Sequence, residues 1–131
     1  RNLQPQKELP ELFLFDSDGN KVSIKDLGKD RQVVFYFWSA PEKRHFTNMI
    51  KRINLLKEKY QEYTFIGLNV RTEHSRWNNM VEVSQLDKSE QFWTENFEDV
   101  AHTLIVYDPN RGIITNDGII VDAFANVYTS F

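Results

Sequence analysis

A strand, a long helix and a second strand follow one another between residues 33 and 70, and this succession constrains the fold more than any other feature. Residues 33–38, VVFYFW, form an unbroken β-branched and aromatic run, which is typical of a strand buried on both faces. Residues 64–70, TFIGLNV, are a second apolar run. Between the two runs, apolar residues recur at helical spacing at Phe46, Met49, Ile50, Ile53, Leu56 and Tyr60. The pattern predicts a βαβ unit with parallel strands and a right-handed crossover.

Shorter elements are predicted on either side of this unit. Residues 12–15 are a short strand, and the polar turn at 16–20 leads to a return strand and one helical turn that Gly28 ends. Residues 113–121 have a hairpin pattern, with an Asn-Asp-Gly turn between β-branched arms. The remaining segments are predicted helices at 73–84 and 98–104, an unassigned stretch at 85–97 and an extended lead-in at 1–10. The order predicts an α/β fold with a mixed central β-sheet, an N-terminal β-hairpin and flanking helices.

Size and charge narrow the classes of function. The chain has 131 residues, which predicts one domain over residues 1–131. Its 16 basic and 19 acidic residues give a net charge of −3, which argues against nucleic acid as a partner. No apolar run approaches the roughly 20 residues that cross a bilayer, so we expect no transmembrane segment. Because the sequence begins at Arg1 and not at Met, we expect it to be a fragment of a longer precursor.

Several short motifs occur in order along nearly the whole chain. They are the Asp-Gly hairpin of 10–19, the VSIKDL turn of 22–27, the VFYFWS strand of 34–39, the KEKY helix end of 57–60, the GLNV strand of 67–70 and the Asp-Gly hairpin of 113–121. In these motifs the chain resembles the thioredoxin-like superfamily, and within it the TlpA/ResA-type thiol-disulfide oxidoreductases and the redoxin (AhpC/TSA-like) domains. The resemblance implies a thioredoxin-like fold with a Cys-x-x-Cys site at the start of the long helix.

The chain departs from these families where their chemistry takes place. It contains no cysteine, and an ungapped reading puts Glu42 and His45 at the positions that match the family's two cysteines. The family's cis-proline falls at Pro109 or Asn110, with Arg111 next, so that proline is displaced by one residue or replaced. Because disulfide exchange needs a thiolate, we expect no disulfide reductase or peroxidase activity from this chain alone.

Glu42 and His45 can be interpreted in two ways. Three residues apart on a presumed helix, they share a face and could form a metal half-site or an acid–base pair. We favour a simpler interpretation, in which the helix starts at Pro41 and Glu42 is a first-turn acid that the helix dipole stabilises by roughly 0.3–1 kcal/mol. We therefore expect neither a metal nor a cofactor.

Two other constellations are weaker candidates. Ser39 and His45 suggest a hydrolase, but the Gly-x-Ser-x-Gly elbow of that class is absent. Arg71, His74 and Arg76 follow a predicted strand end, where open α/β sheets bind their ligands. These three residues either hold an anion or simply begin an exposed helix.

In the resembled family, the residues beside the active turn form an apolar groove that binds substrate polypeptide. The matching positions here are Trp38, Ser39, Pro41, Pro109, Asn110 and Arg111, although Trp38 is equally well explained as a core residue. We therefore interpret the chain as a redox-inactive binding or scaffolding module for a polypeptide, with a degenerate Cys-x-x-Cys site. The alternatives are an oxidoreductase system whose thiols come from elsewhere, and a repurposed active site. The resemblance also implies a bacterial cell-envelope or periplasmic location.

Overall fold

The computed structural model of the protein describes residues 5–104 and 108–131, with every side chain in these ranges except that of Phe97. The strands are β1 Phe13–Phe15, β2 Lys21–Ser23, β3 Gln32–Trp38, β4 Tyr63–Asn69, β5 Gln91–Trp93, β6 Arg111–Asn116 and β7 Ile119–Asn126. The helices are α1 Ile24–Gly28, α2 Lys43–Lys59, α3 His74–Val83 and α4 Phe97–Leu104, with a 3₁₀ turn at Lys88–Glu90. The described strands form one mixed sheet in the order β2-β1-β5-β4-β3-β6-β7. Within the same ranges, no helix is long and apolar enough to cross a membrane.

The predicted βαβ unit forms the centre of the sheet. β3 runs parallel to β4 in continuous register, from Gln32 opposite Tyr63 to Trp38 opposite Asn69, and α2 connects the two strands. On its other side, β3 pairs antiparallel with β6. Because β3 has neighbours on both edges and helices over both faces, residues 33–38 are all buried. The prediction of a mixed sheet flanked by helices is confirmed.

Both predicted hairpins are present, and one strand is additional. β1 and β2 pair antiparallel around the turn at 16–20, and β6 and β7 pair around Asp117 and Gly118, which both have positive φ. β5 lies in the unassigned stretch 85–97 and pairs parallel with β4. Three residues are too few to show a strand periodicity, so the pattern of the sequence could not reveal β5.

The N-terminal segment is held more firmly than an extended lead-in implies. Leu9 is buried, and the backbone N–H groups of Gln6 and Leu9 donate to the carbonyls of Ile120 and Gly118. This pairing covers part of the outer edge of β7 and shields it from other strands. The first four residues of the predicted lead-in lie outside the described residues.

Apolar side chains pack in two layers, one on each face of the sheet. The layer under α2 and α3 contains Trp38, Phe46 and Trp77. The opposite layer joins the sheet to α1 and α4, through residues such as Ile24 and Leu104. Side chains that alternate along one strand therefore enter different layers.

A buried hydrogen-bonded row crosses the layer under α2 and α3. Trp38 Nε1 donates to Gln91 Oε1 at 3.0 Å, and Gln91 Nε2 donates to the Tyr36 hydroxyl at 2.8 Å. Gly67 leaves room for this row, because a Cβ at that position would collide with the Gln91 amide and the Tyr36 ring. Burial raises the pKa of Tyr36, so its phenol stays neutral. We call Tyr36, Trp38 and Gln91 the buried row.

Candidate functional site

The start of α2 follows the carboxyl end of β3 after a short turn. The helix begins at Lys43, two residues later than a start at Pro41 predicts, and Glu42 is its N-cap residue. The prediction that Glu42 is a first-turn acid is therefore wrong, because Pro41 precedes the N-cap and does not open the helix. The Glu42 side chain makes no capping hydrogen bond. Its Oε1 accepts a hydrogen bond from Ser39 Oγ at 3.3 Å, while its carbonyl accepts from the Phe46 N–H.

His45 joins α2 to the loop that precedes β6. Its Nε2 lies 2.8 Å from the carbonyl oxygen of Pro109, and because a carbonyl only accepts, this nitrogen carries the proton. The ring is half-buried, whereas Pro41, Glu42 and Pro109 are exposed. No peptide bond between described residues is cis, that of Pro109 included. We call Pro41, Glu42, His45 and Pro109 the α2 corner, because the fold brings these four predicted site residues together.

Two predicted groove residues lie elsewhere. Trp38 is only 1% exposed, with its ring 4.5 Å from that of Phe46, so it belongs to the core and lines no open groove. Arg111 is buried on the opposite face of the sheet, where its Nε donates to the Ala123 carbonyl at 2.7 Å. Its guanidinium also lies 4.3 Å from the centre of the Phe124 ring. Burial lowers the pKa of Arg111 to about 10, which the nearby Asp122 opposes.

The remaining two groove residues, Ser39 and Asn110, are only partly accessible to a ligand. Ser39 is buried, and its hydroxyl is bound to Glu42. Asn110 is half-buried; its N–H donates to Asp108 Oδ1 at 2.9 Å, and its carbonyl accepts from the Val127 N–H. The solvent therefore meets mainly the two prolines and the Glu42 carboxylate at this corner.

The other constellations do not assemble in the described residues. None of the described hydrogen bonds joins Ser39 to His45, as a nucleophile–base pair requires. No three His, Cys, Asp or Glu side chains in the described ranges are placed to hold a metal ion. The His74 ring packs against Trp77 and Trp93, with ring centres 5.3 and 5.0 Å away. That residue is therefore part of an aromatic contact and not of an exposed basic cluster.

A cleft beside the α2 corner is not apparent from the sequence. It has a volume of about 520 Å³ and is lined by Asn48, Lys51, Arg52, Leu55, Asn110 and Tyr128. Arg52 is fixed at its wall, since Nε donates to the Val127 carbonyl at 3.0 Å and one terminal nitrogen to the Tyr128 carbonyl at 3.2 Å. Burial raises the pKa of Tyr128, which Arg52 opposes. We call this feature the basic cleft.

Comparisons with known proteins agree with the fold. The model of the AhpC/TSA family matches residues 5–129. The thioredoxin domain of a thiol-disulfide oxidoreductase from Bacteroides vulgatus is 22% identical, with a TM-score of 0.68 over 91% of this chain and 86% of that one. A thiol-disulfide oxidoreductase from Bacteroides fragilis is 18% identical, with a TM-score of 0.64 over 88% of both chains. The exposed lipoprotein thioredoxin of Streptococcus pneumoniae is 14% identical, with a TM-score of 0.62 over 86% of this chain and 87% of that one. No curated protein matches the chain.

These similarities confirm the thioredoxin-like fold that the sequence motifs imply. The family match extends from the N-terminal segment, through the βαβ unit, to the residues after β7. Yet a thiol cannot occupy the α2 corner, since the whole sequence contains no cysteine. The chain belongs to the AhpC/TSA family and is a cysteine-free member of it.

Proposed function

We propose that this domain is a redox-inactive binding module that holds an extended segment of polypeptide at the α2 corner. The observation that carries the proposal is the hydrogen bond from His45 to the Pro109 carbonyl. His45 stands at a position that matches a family cysteine, and its imidazole cannot exchange disulfides. Its hydrogen bond connects the start of α2 to the loop before β6. Thiol chemistry by these 131 residues alone is excluded, because a thiolate is required and no cysteine exists.

The exposed surface of the corner suits a polypeptide ligand. Pro41 and Pro109 are exposed on the two sides of the His45 contact. Their rings are rigid and apolar, and they lose little conformational entropy when a ligand covers them. The Glu42 carboxylate adds a hydrogen-bond acceptor for backbone or side-chain N–H groups of the ligand.

The proposed location is the bacterial cell envelope, in the manner of the TlpA/ResA type. One structural relative, from Streptococcus pneumoniae, is described as an exposed lipoprotein, which supports this location. Fractionation of cells that express the complete gene product, followed by protease treatment of intact and lysed cells, tests it. Protection of the domain inside the cytoplasmic membrane would contradict the envelope location.

The binding test uses an unfolded polypeptide as probe, namely insulin B chain whose cysteines are blocked by carboxamidomethylation. Added to the isotopically labelled protein, it is expected to shift the backbone amide resonances of residues 42–45, 108 and 110. Pro41→Ala combined with Pro109→Ala should weaken binding by about fivefold or more, because the two apolar contacts are removed. Pro5→Ala is the matched control, since Pro5 is exposed away from the α2 corner.

Two results would contradict the proposal. One is binding that the double proline variant does not change, since the probe would then bind elsewhere. The other is reduction of intact insulin by the purified domain with dithiothreitol at a rate above the reagent blank, since that rate would reveal a redox activity.

A further inference from the structure

We infer that the basic cleft binds an acidic stretch of the same polypeptide, so that the partner is an acidic, extended chain. This inference rests on the proposed function and adds the chemistry of the ligand. It is carried by three observations, which are the charge of α2, the lining of the cleft and the continuity of the cleft with the α2 corner.

The charge of α2 is opposite to that of the rest of the protein. Residues 42–59 carry six Lys or Arg residues and two Glu residues, a net charge of +4. The complete chain carries −3, so all other residues together carry −7. Lys57 is ion-paired with Glu90 at 2.6 Å, but the rest of the helix is still positive on an otherwise acidic molecule. Such a surface favours partners of negative charge.

The lining of the basic cleft matches the side chains of Asp and Glu. Lys51 is exposed at the cleft and can place its ammonium group on a carboxylate. Arg52 is held by the Val127 and Tyr128 carbonyls, so its charge is fixed in place before a ligand arrives. The amides of Asn48 and Asn110 add neutral N–H donors on the two sides.

The cleft also offers apolar contacts that a free inorganic anion would not use. Leu55 is 61% exposed, among the most exposed of the large apolar side chains in the described residues. Tyr128 lies half-buried beside it in the same cleft. An apolar side chain next to the acidic residues would cover both, which favours a polypeptide over phosphate or sulfate.

The basic cleft continues directly from the α2 corner. His45, Asn48, Arg52 and Leu55 follow one another at spacings of three, four and three, so they lie along one face of α2. On the facing side, Asn110 follows Pro109, whose carbonyl accepts from His45. A polypeptide ligand that is bound at the α2 corner and runs along α2 would therefore enter the basic cleft. The Asp108 carboxylate, on the same loop, accepts from the N–H of Asn110 at 2.9 Å.

Three fluorescein-labelled peptides of equal length test the inference with the intact protein. They share one sequence, with a proline and a leucine, and differ only in a block of Asp, Asn or Lys residues. Fluorescence anisotropy is expected to give the tightest binding for the Asp peptide, weaker binding for the Asn peptide and the weakest for the Lys peptide. Lys51→Glu should weaken the Asp peptide by about tenfold or more, because it replaces an attraction with a repulsion. Lys29→Glu changes the net charge equally on an exposed residue that follows α1, and should have little effect.

The outcomes separate the inference from the proposed function. Equal binding of all three peptides, with resonance shifts at residues 42–45, would overturn the inference and leave the binding module intact. Equal weakening by Lys51→Glu and Lys29→Glu would also overturn it, because the attraction would then be one of overall charge. If no peptide binds and the insulin B chain also fails to bind, the proposed function falls together with the inference.

Discussion

The buried row and the α2 corner are adjacent along the chain and differ in almost every physical respect. Trp38, in the row, is 1% exposed and bound through Gln91 to Tyr36. Only four residues later, Glu42 is exposed, and its side chain makes one long hydrogen bond, to the Ser39 hydroxyl. The row is fixed by packing and by the cost of unpaired buried groups, whereas the corner contributes few contacts to stability. The difference explains how this fold can persist although its reactive groups have been replaced.

The largest effect is expected when the buried row is broken. Gln91→Leu leaves Trp38 Nε1 and the Tyr36 hydroxyl without their partner inside the core. Each buried group that loses its partner costs roughly 1–3 kcal/mol, so the free energy of unfolding should fall by about 2–6 kcal/mol. Chemical denaturation measures this loss. Gln61→Leu, at an exposed position, is the matched control and should change stability by less than about 0.5 kcal/mol. Equal effects of the two variants would mean that the row does not stabilise the fold.

The stability of the protein should also depend on pH, because the buried row contains the phenol of Tyr36. Burial raises the pKa of Tyr36 above its ordinary value of 10.0, so the folded protein holds this proton at pH values where the unfolded chain has released it. The stabilisation is therefore complete below pH 10.0 and is lost as the pH rises further. Above that pH, the free energy of unfolding of the wild type should fall faster than that of Tyr36→Phe, by up to about 1.4 kcal/mol for each pH unit. Parallel stability curves for the two proteins between neutral and alkaline pH would contradict this assignment.

A smaller effect is expected at the α2 corner. His45→Ala removes the hydrogen bond to the Pro109 carbonyl, which is exposed and can be replaced by one to water. Its loss should lower the free energy of unfolding by about 0.5–1.5 kcal/mol. Thr47→Ala, at an exposed position on the same helix, controls for changes in helix propensity. A loss as large as that of Gln91→Leu would show that the corner is part of the structural core, and would remove the contrast between the two regions.

The sequence predicts the centre of the fold better than the surface around it. The βαβ unit could be predicted because β3 is an unbroken apolar run and the apolar residues of α2 recur at helical spacing. The exact start of α2 could not, since a proline is compatible with the position before an N-cap as well as with the first helical turn. β5 gives no signal, because its three residues obtain their strand conformation from pairing with β4.

The candidate site is predicted where it depends on local sequence and missed where it depends on distant contacts. Glu42 and His45 could be located by counting from Trp38, because the turn between β3 and α2 is short. The side of the sheet on which Trp38 or Arg111 lies could not be predicted. A strand that is buried on both faces does not indicate which neighbouring element covers which face. The basic cleft requires the contact between Arg52 and Tyr128, which are 76 residues apart, and no local pattern records that contact.

The central claim is that the α2 corner is the Cys-x-x-Cys position of an intact thioredoxin-like fold. Glu42→Cys combined with His45→Cys tests it directly. The first turn of α2 closes between Glu42 and Phe46, so Cα atoms three residues apart there are separated by about 5 Å. That separation is within the roughly 4.4–6.8 Å that a disulfide spans. Glu42→Cys with Arg44→Cys is the matched control, because residues two apart on a helix do not face each other.

The readout is alkylation of free thiols before and after reduction, followed by mass spectrometry of the monomer. We predict that the Glu42→Cys/His45→Cys protein oxidises to an intramolecular disulfide, seen as a monomer lighter by two hydrogens with no alkylated thiol, whereas the control keeps free thiols or links between molecules. A double variant that keeps two free thiols under the same oxidising conditions would contradict the assignment of this corner.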